Sequence, residues 1–305
     1  MQGGDLTHSS TIGINLPNAN WIRKEHGSKS VTLGNIMEAF EVAAATGGLS
    51  DEFAYTEEEK ARNKEYGALG SLLDVDMHEV IGHASGQINP GVGTPKETLK
   101  SYASTLEEAR ADLVAMYYIM DPKLVELGLM PSLDVGKTVY ESQIRNGLQY
   151  QLRRVNLGDD IEEAHMRNRQ LIAAWAYEMG LEDKVIEKIE KDGKHYFVIN
   201  DYEALRGIFA EQLREIQRIK SEGDYEAGKA LVETYGVKVD RAMHEEVLAR
   251  VEPLNIAPYK GFIQPRLVAI EQDGEIVDVK IEQVDDFVDW MLESEEKYSY
   301  LPISN

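Results

Sequence analysis

The 305-residue chain has no cysteine. That excludes disulfides and thiolate metal ligands, so any bound metal must rely on histidine and carboxylate. No apolar run reaches the length of a membrane span, and Met1 to Ser10 lack a signal-peptide pattern. Internal repeats and low-complexity segments are also missing. Basic residues are few, 32 Lys and Arg against 54 Asp and Glu, for a net charge of -22. Nucleic acid is excluded as a partner on that ground, because its phosphates would be repelled. The acidic excess itself reads as solubility. An apolar content of 43% with 28% charged residues fits a globular, soluble intracellular enzyme with one large domain or two smaller ones.

What is there is histidine and glutamate in a telling order. His78-Glu79-Val80-Ile81-Gly82-His83 is followed downstream by Glu107-Glu108-Ala109-Arg110-Ala111-Asp112. Two His and one Glu are the ligand set of catalytic zinc in hydrolases, with a fourth position left for water. A carboxylate beside the first ligand stands where such a site needs its general base, which points to Glu79. The two imidazoles are five residues apart rather than four. On a regular helix that spacing sets them about 140° apart, against about 40° for four. One residue accommodated in a π-type turn restores them to one face. Gly82 suits that turn because glycine tolerates unusual backbone angles. The spacing therefore predicts a local distortion between Glu79 and His83.

The periodicity is mainly α. Helices are expected over Gly34 to Thr46, stopped by Gly47-Gly48, and over Tyr66 to Gln87 and Ser104 to Met120, which carry the two motifs. Others are expected over Val135 to Leu157, Glu162 to Met179, Asp201 to Lys220, Tyr225 to Tyr235 and Asp240 to Val251. His195 to Asn200 reads as a strand. Pro265 to Glu282 alternates like a hairpin turning at Asp273-Gly274, and Val284 to Lys297 reads as a closing helix.

The paired motifs resemble those of the dipeptidyl peptidase III family of zinc exopeptidases. Gly13-Ile14-Asn15-Leu16-Pro17-Asn18, Ser30-Val31-Thr32-Leu33-Gly34-Asn35 and Ala164-His165-Met166-Arg167-Asn168-Arg169 are collinear with it. The likeness covers nearly the whole chain and corresponds to the C-terminal part of a typical member. It implies a cytoplasmic enzyme acting on oligopeptides and two lobes about a cleft. Residues 49–261 would form a helical zinc-binding lobe. Residues 1–48 and 262–305 would be parts of a second, β-containing lobe, most of which precedes this segment in the family. That would make the chain either a truncated or a natural short form.

The resemblance also assigns roles. His78, His83 and Glu108 would bind one Zn2+ per chain, and Glu79 would be the base. Apart from the resemblance, Glu107 and Asp112 stand where carboxylates can receive the remaining ring N–H groups and fix the imidazoles, the alternative being a solvated helix face with Arg110 nearby. His165 would stabilise charge on the reacting carbonyl. Asn15, Asn18 and Arg169 would contact the substrate. Ser30 stands where the family often has Asn, and the family's upstream acidic and tyrosine residues have no counterpart here. Two other readings use the same residues: a zinc endopeptidase, and an inactive helical peptide-binding module.

Overall fold

The computed structural model describes residues 12–17, 20–256, 264–284 and 286–298. The fold is mainly α. The chain begins with β1 (Gly13–Leu16), α1 (Asn20–His26), β2 (Lys29–Thr32), α2 (Gly34–Thr46) and α3 (Leu49–Phe53). Then come α4 (Glu57–Met77), a π-helical turn (His78–Gly82), α5 (Pro95–Thr98), α6 (Ala103–Ile119), α7 (Pro122–Glu126), α8 (Asp134–Leu148) and α9 (Ala164–Met179). β3 (Ile186–Lys191) and β4 (Lys194–Ile199) form a hairpin. α10 (Tyr202–Glu222), α11 (Tyr225–Val232) and α12 (Arg241–Val251) follow, and β5 (Arg266–Gln272), β6 (Glu275–Glu282) and α13 (Phe287–Tyr298) end the series. Among the described residues each sheet is one antiparallel pair, and no helix is long and apolar enough to cross a membrane.

Two compact units are distinguished: residues 12–34 with 47–256, and, of the described residues, 35–46 with 264–298. In the first, α6 is the central helix. Leu106, Ala109, Ala111, Leu113, Ala115, Met116 and Ile119 are all buried, and so is Arg110, so the helix is enclosed on most sides. Truncating one such leucine costs about 2–5 kcal/mol. Close approaches fix the neighbours of α6. A Cβ on Gly82 would lie 2.9 Å from the Cα, Cβ and carbonyl oxygen of Ala111. Gly147 in α8 likewise leaves room for the α9 backbone at Arg169. These contacts set the π turn against α6 and α9 against α8.

Several boundaries differ from the periodicity. α4 starts nine residues before Tyr66, at Glu57, because Thr56 and Glu59 form a capping box. The 135–157 helix ends at Leu148. Gln149 leaves helical geometry (φ -134°, ψ -89°) and buries its amide against the His195 carbonyl. Tyr150–Arg154 continue as a 3-10 turn. The expected strand at His195 has a partner that the pattern did not reveal, β3, joined through Asp192-Gly193.

In the second unit, β5 and β6 pair as expected around Asp273-Gly274, with a bulge at Ile270/Glu271. Arg266 is tied to Glu293 of α13 at 2.9 Å. Leu267, Val279 and Ile281 are exposed on the hairpin.

Candidate metal centre

α4 delivers His78, and the π turn carries the chain on to His83. The His83 N–H donates to the His78 carbonyl at 2.9 Å, the five-residue bond that defines the distortion. The expected distortion is thus present, but the role of Gly82 differs. Gly82 does not have a positive φ. It is small because the turn lies directly on the backbone of α6 at Ala111. Both rings then meet Glu108 of α6.

The three candidate ligand atoms lie within 4.8 Å of one another. His78 Nε2 is 3.1 Å from His83 Nε2, and the two are 3.3 and 3.7 Å from Glu108 Oε2. The other nitrogen of each ring is engaged: His78 Nδ1 donates to Asp112 Oδ1 at 2.6 Å, and His83 Nδ1 donates to Glu107 Oε1 at 3.1 Å. A carboxylate only accepts, so these contacts place the hydrogens on Nδ1 and turn both Nε2 atoms inward. Glu108 Oε2 is buried and has no hydrogen-bond partner. Three inward acceptors with nothing to satisfy the carboxylate fit a cation. Burial disfavours a charge on His78, but the carboxylates of Asp112 and Glu108 outweigh it and push the imidazole up to about 11, so the negative field of these two groups is strong at this point.

The supports come from distant helices. Asp112 Oδ2 accepts from Asn168 Nδ2 of α9 at 2.8 Å. Burial opposes ionisation of Asp112, and His78, Arg169 and Asn168 outweigh it, so the carboxyl titrates below its usual range. Glu107 accepts from Arg110 Nη2 at 2.7 Å and from Lys220 Nζ of α10 at 2.6 Å. Its carboxyl is also held low, burial being outweighed by His83, Arg110 and Lys220. Arg110 Nη2 also donates to the Gly82 carbonyl at 2.7 Å, tying α6 to the π turn. Asp74, one turn before His78, has a buried Oδ1 with no partner. Burial and the charge of Asp112 push it up to about 7. Asn168 and Lys220 have no local spacing to the motif residues they support, whereas Asp74 lies one turn before His78 and only its burial beside Asp112 marks it.

His165 stands at the start of α9 with Nε2 3.5 Å from Glu108 Oε2 and its ring half exposed. Its Nδ1 is 2.7 Å from Glu163 Oε1. That hydrogen bond raises the imidazole above its ordinary value against the effect of burial, and Glu108 adds to it. Glu163 in turn falls to about 2, chiefly through His165. Glu163 also caps α9, accepting from the backbone N–H groups of His165 and Met166. The cap was the signal that could have revealed it: a carboxylate just before a helix start. Arg169, one turn after His165, acts electrostatically on Asp112 and Asp74. Asn15 is buried, and its amide donates to Ser30 Oγ at 2.7 Å and to the Glu79 carbonyl at 3.1 Å. Asn18 lies outside the described residues.

A sequence model of peptidase family M49 matches residues 6–90 and 91–294. Dipeptidyl peptidase 3 of Mus musculus is 27% identical over 266 residues, covering 75% of this chain and 35% of that protein. The Homo sapiens protein of the same name is 28% identical over 269 residues, with the same coverage. The solved structure of DPP III from Caldithrix abyssi matches with a TM-score of 0.60 at 26% identity, covering 81% of this chain and 44% of that one. The chain thus spans about a third of the length of the mouse and human proteins.

Proposed function

Because the chain belongs to peptidase family M49, we propose that it carries the centre of a zinc-dependent dipeptidyl peptidase, which releases dipeptides from the amino terminus of oligopeptides. One observation carries this reading: His78 Nε2, His83 Nε2 and Glu108 Oε2 converge, while Glu79, next to the first of them, stays outside the set. The dipeptidyl step is taken from the names of the relatives. Family likeness makes the cytoplasm the proposed location.

A His2Glu set suits Zn2+ with a position left open. When bound, the ion supplies Lewis acidity to the scissile carbonyl and lowers the pKa of the attacking water. The remaining work falls to the chain. Glu79 accepts the proton that the water loses as its oxygen bonds to the carbonyl carbon. It then passes that proton to the amine nitrogen as the C–N bond breaks. His165, whose imidazole the hydrogen bond with Glu163 holds above its ordinary value, donates to the carbonyl oxygen as negative charge grows there. Asp112 and Glu107 hold the two rings in one tautomer. Asn15, Asn18 and Arg169 take the substrate-contact roles that family likeness assigns them.

The test is Glu79→Gln. It should keep one zinc per chain by elemental analysis and lose hydrolysis of a free-amino dipeptidyl reporter. Full activity in that variant rejects the mechanism. Equal cleavage of the same peptide with a blocked amino terminus replaces the exopeptidase by an endopeptidase.

A further inference from the structure

We propose that the β1–β2 hairpin is a brace that positions Glu79, with Gly13, Asn15 and Ser30 as its positioning residues. The inference rests on the reading of Glu79 as the base and adds what aims it. β1 and β2 are four residues each and, among the described residues, pair with no third strand. Such a short hairpin is marginal alone and needs outside contacts to hold it. Three side-chain hydrogen bonds tie it to the α4 end and the π turn. Thr32 Oγ1 donates to Asp76 Oδ1 at 2.6 Å, and Ser30 Oγ and Asn15 Nδ2 both reach the Glu79 carbonyl, at 2.9 and 3.1 Å. Asn15 and Ser30 face each other in register, so one cross-strand pair supplies both donors.

Gly13 stands two residues before Asn15, hence on the same face of the strand. A Cβ on Gly13 would lie 2.6 Å from Glu79 Oε1, 2.7 Å from Cγ and 2.9 Å from Cδ. The carboxylate of Glu79 thus occupies the space where the side chain of residue 13 would be. One strand face grips one residue twice: Asn15 holds its carbonyl, and the bare backbone at Gly13 limits where its side chain goes. A general base must stand within hydrogen-bond reach of its proton, and a displacement of about 1 Å costs on the order of 10²-fold in rate. Gly13-x-Asn15 is in this view a fixture for the base, built on a strand remote in sequence from the helix it serves.

The experiment is a double-mutant cycle in the full chain with Gly13→Ala, Glu79→Asp and their combination. kcat and KM are measured on the free-amino reporter, together with metal content, melting temperature and crystal structures. Gly13→Ala should lower kcat about 10- to 100-fold at unchanged KM and metal content, and shift the Glu79 carboxylate by about 1 Å. In the Glu79→Asp background the same change should cost little, because the shorter side chain clears the new methyl. Ser30→Ala should lower kcat several-fold, and Ser30→Thr, which keeps the hydroxyl, should recover it. Independent effects at 13 and 79, an unmoved carboxylate in the crystal, or a rise in KM alone overturns the brace. If Glu79→Gln is inactive in that same experiment, the base reading survives that loss. If Glu79→Gln is active, both fall together.

Discussion

Asp112 and Glu108 lie one helical turn apart on α6 and hold opposite nitrogens of the same imidazole, that of His78. The Asp112 contact is the shorter, 2.6 Å against 3.3 Å. Asp112→Asn keeps an acceptor for Nδ1 and removes the charge, and the Asn168 amide can turn over to meet the new group. Zinc affinity measured by competition with a chelator should fall about 10- to 100-fold with the fold intact. Unchanged affinity would show that the charge of Asp112 does not support His78.

Glu107 and Glu108 are neighbours in sequence with different surroundings. Glu107 is saturated by His83, Arg110 and Lys220, whereas Glu108 Oε2 has no hydrogen-bond partner. Glu108→Ala should therefore abolish stoichiometric zinc in elemental analysis, with helical circular dichroism retained. Glu107→Ala should keep metal at saturating zinc but bind it more weakly. The reverse order of effects would exchange their roles.

His165 touches Glu108 only across 3.5 Å and is half exposed. Its removal should spare the metal. His165→Ala is expected to lower kcat about 10²- to 10³-fold with zinc content unchanged. Loss of the metal along with the rate would make it a ligand.

Gly82 has no spare room. Gly82→Ala would drive a methyl into the α6 backbone at Ala111. Overpacking of this kind costs about 1–3 kcal/mol, read as a lower midpoint in urea. The π turn should also be displaced, so zinc affinity falls with stability. Wild-type stability in Gly82→Ala would refute the close approach.

Acid should loosen the first unit through Arg250. Glu52 accepts from Lys194 and Arg250, and Glu246 accepts from His195 and Arg250. At both carboxyls burial opposes the charge and these partners outweigh it, so each titrates below its ordinary value of 4.5. A lowered folded pKa gives stability that is present above the unfolded value and lost as pH falls through the folded one. At pH 7 the melting temperature of Glu52→Gln should lie below that of the wild type. The gap should narrow as pH falls below 4.5. A gap that is constant down to full protonation would contradict the assignment.

The helical frame was legible because its signals are local. α6, α10 and α12 fall within two residues of their periodic spans, and Asp273-Gly274 marks the one hairpin foreseen. The π turn was legible from spacing alone, since two imidazoles five apart meet only if the helix is irregular. The start of α4 is marked by the capping pair Thr56 and Glu59 rather than by the apolar period. β1–β2 was invisible as structure: four-residue strands give too short an alternation, and their partner is a helix far along the chain. The supports of the site were equally silent. Lys220 reaches Glu107 across 113 positions and Asn168 reaches Asp112 across 56, distances at which residue spacing carries no signal.

The extra residue in the π turn also fixes how this centre can change by deletion. Removing Ile81 would restore the commoner four-residue interval on paper. It would also turn all of α4 by about 100° relative to α6. Gly70, where a Cβ would sit 2.9 Å from Thr138 Oγ1, would swing away and a larger neighbour would be driven against α8. Met77 would leave the core. A one-codon deletion therefore does not yield the shorter motif in a working fold. The two intervals belong to separate backbone solutions, and passing from one to the other requires rebuilding the helix–helix interfaces on both sides of the turn.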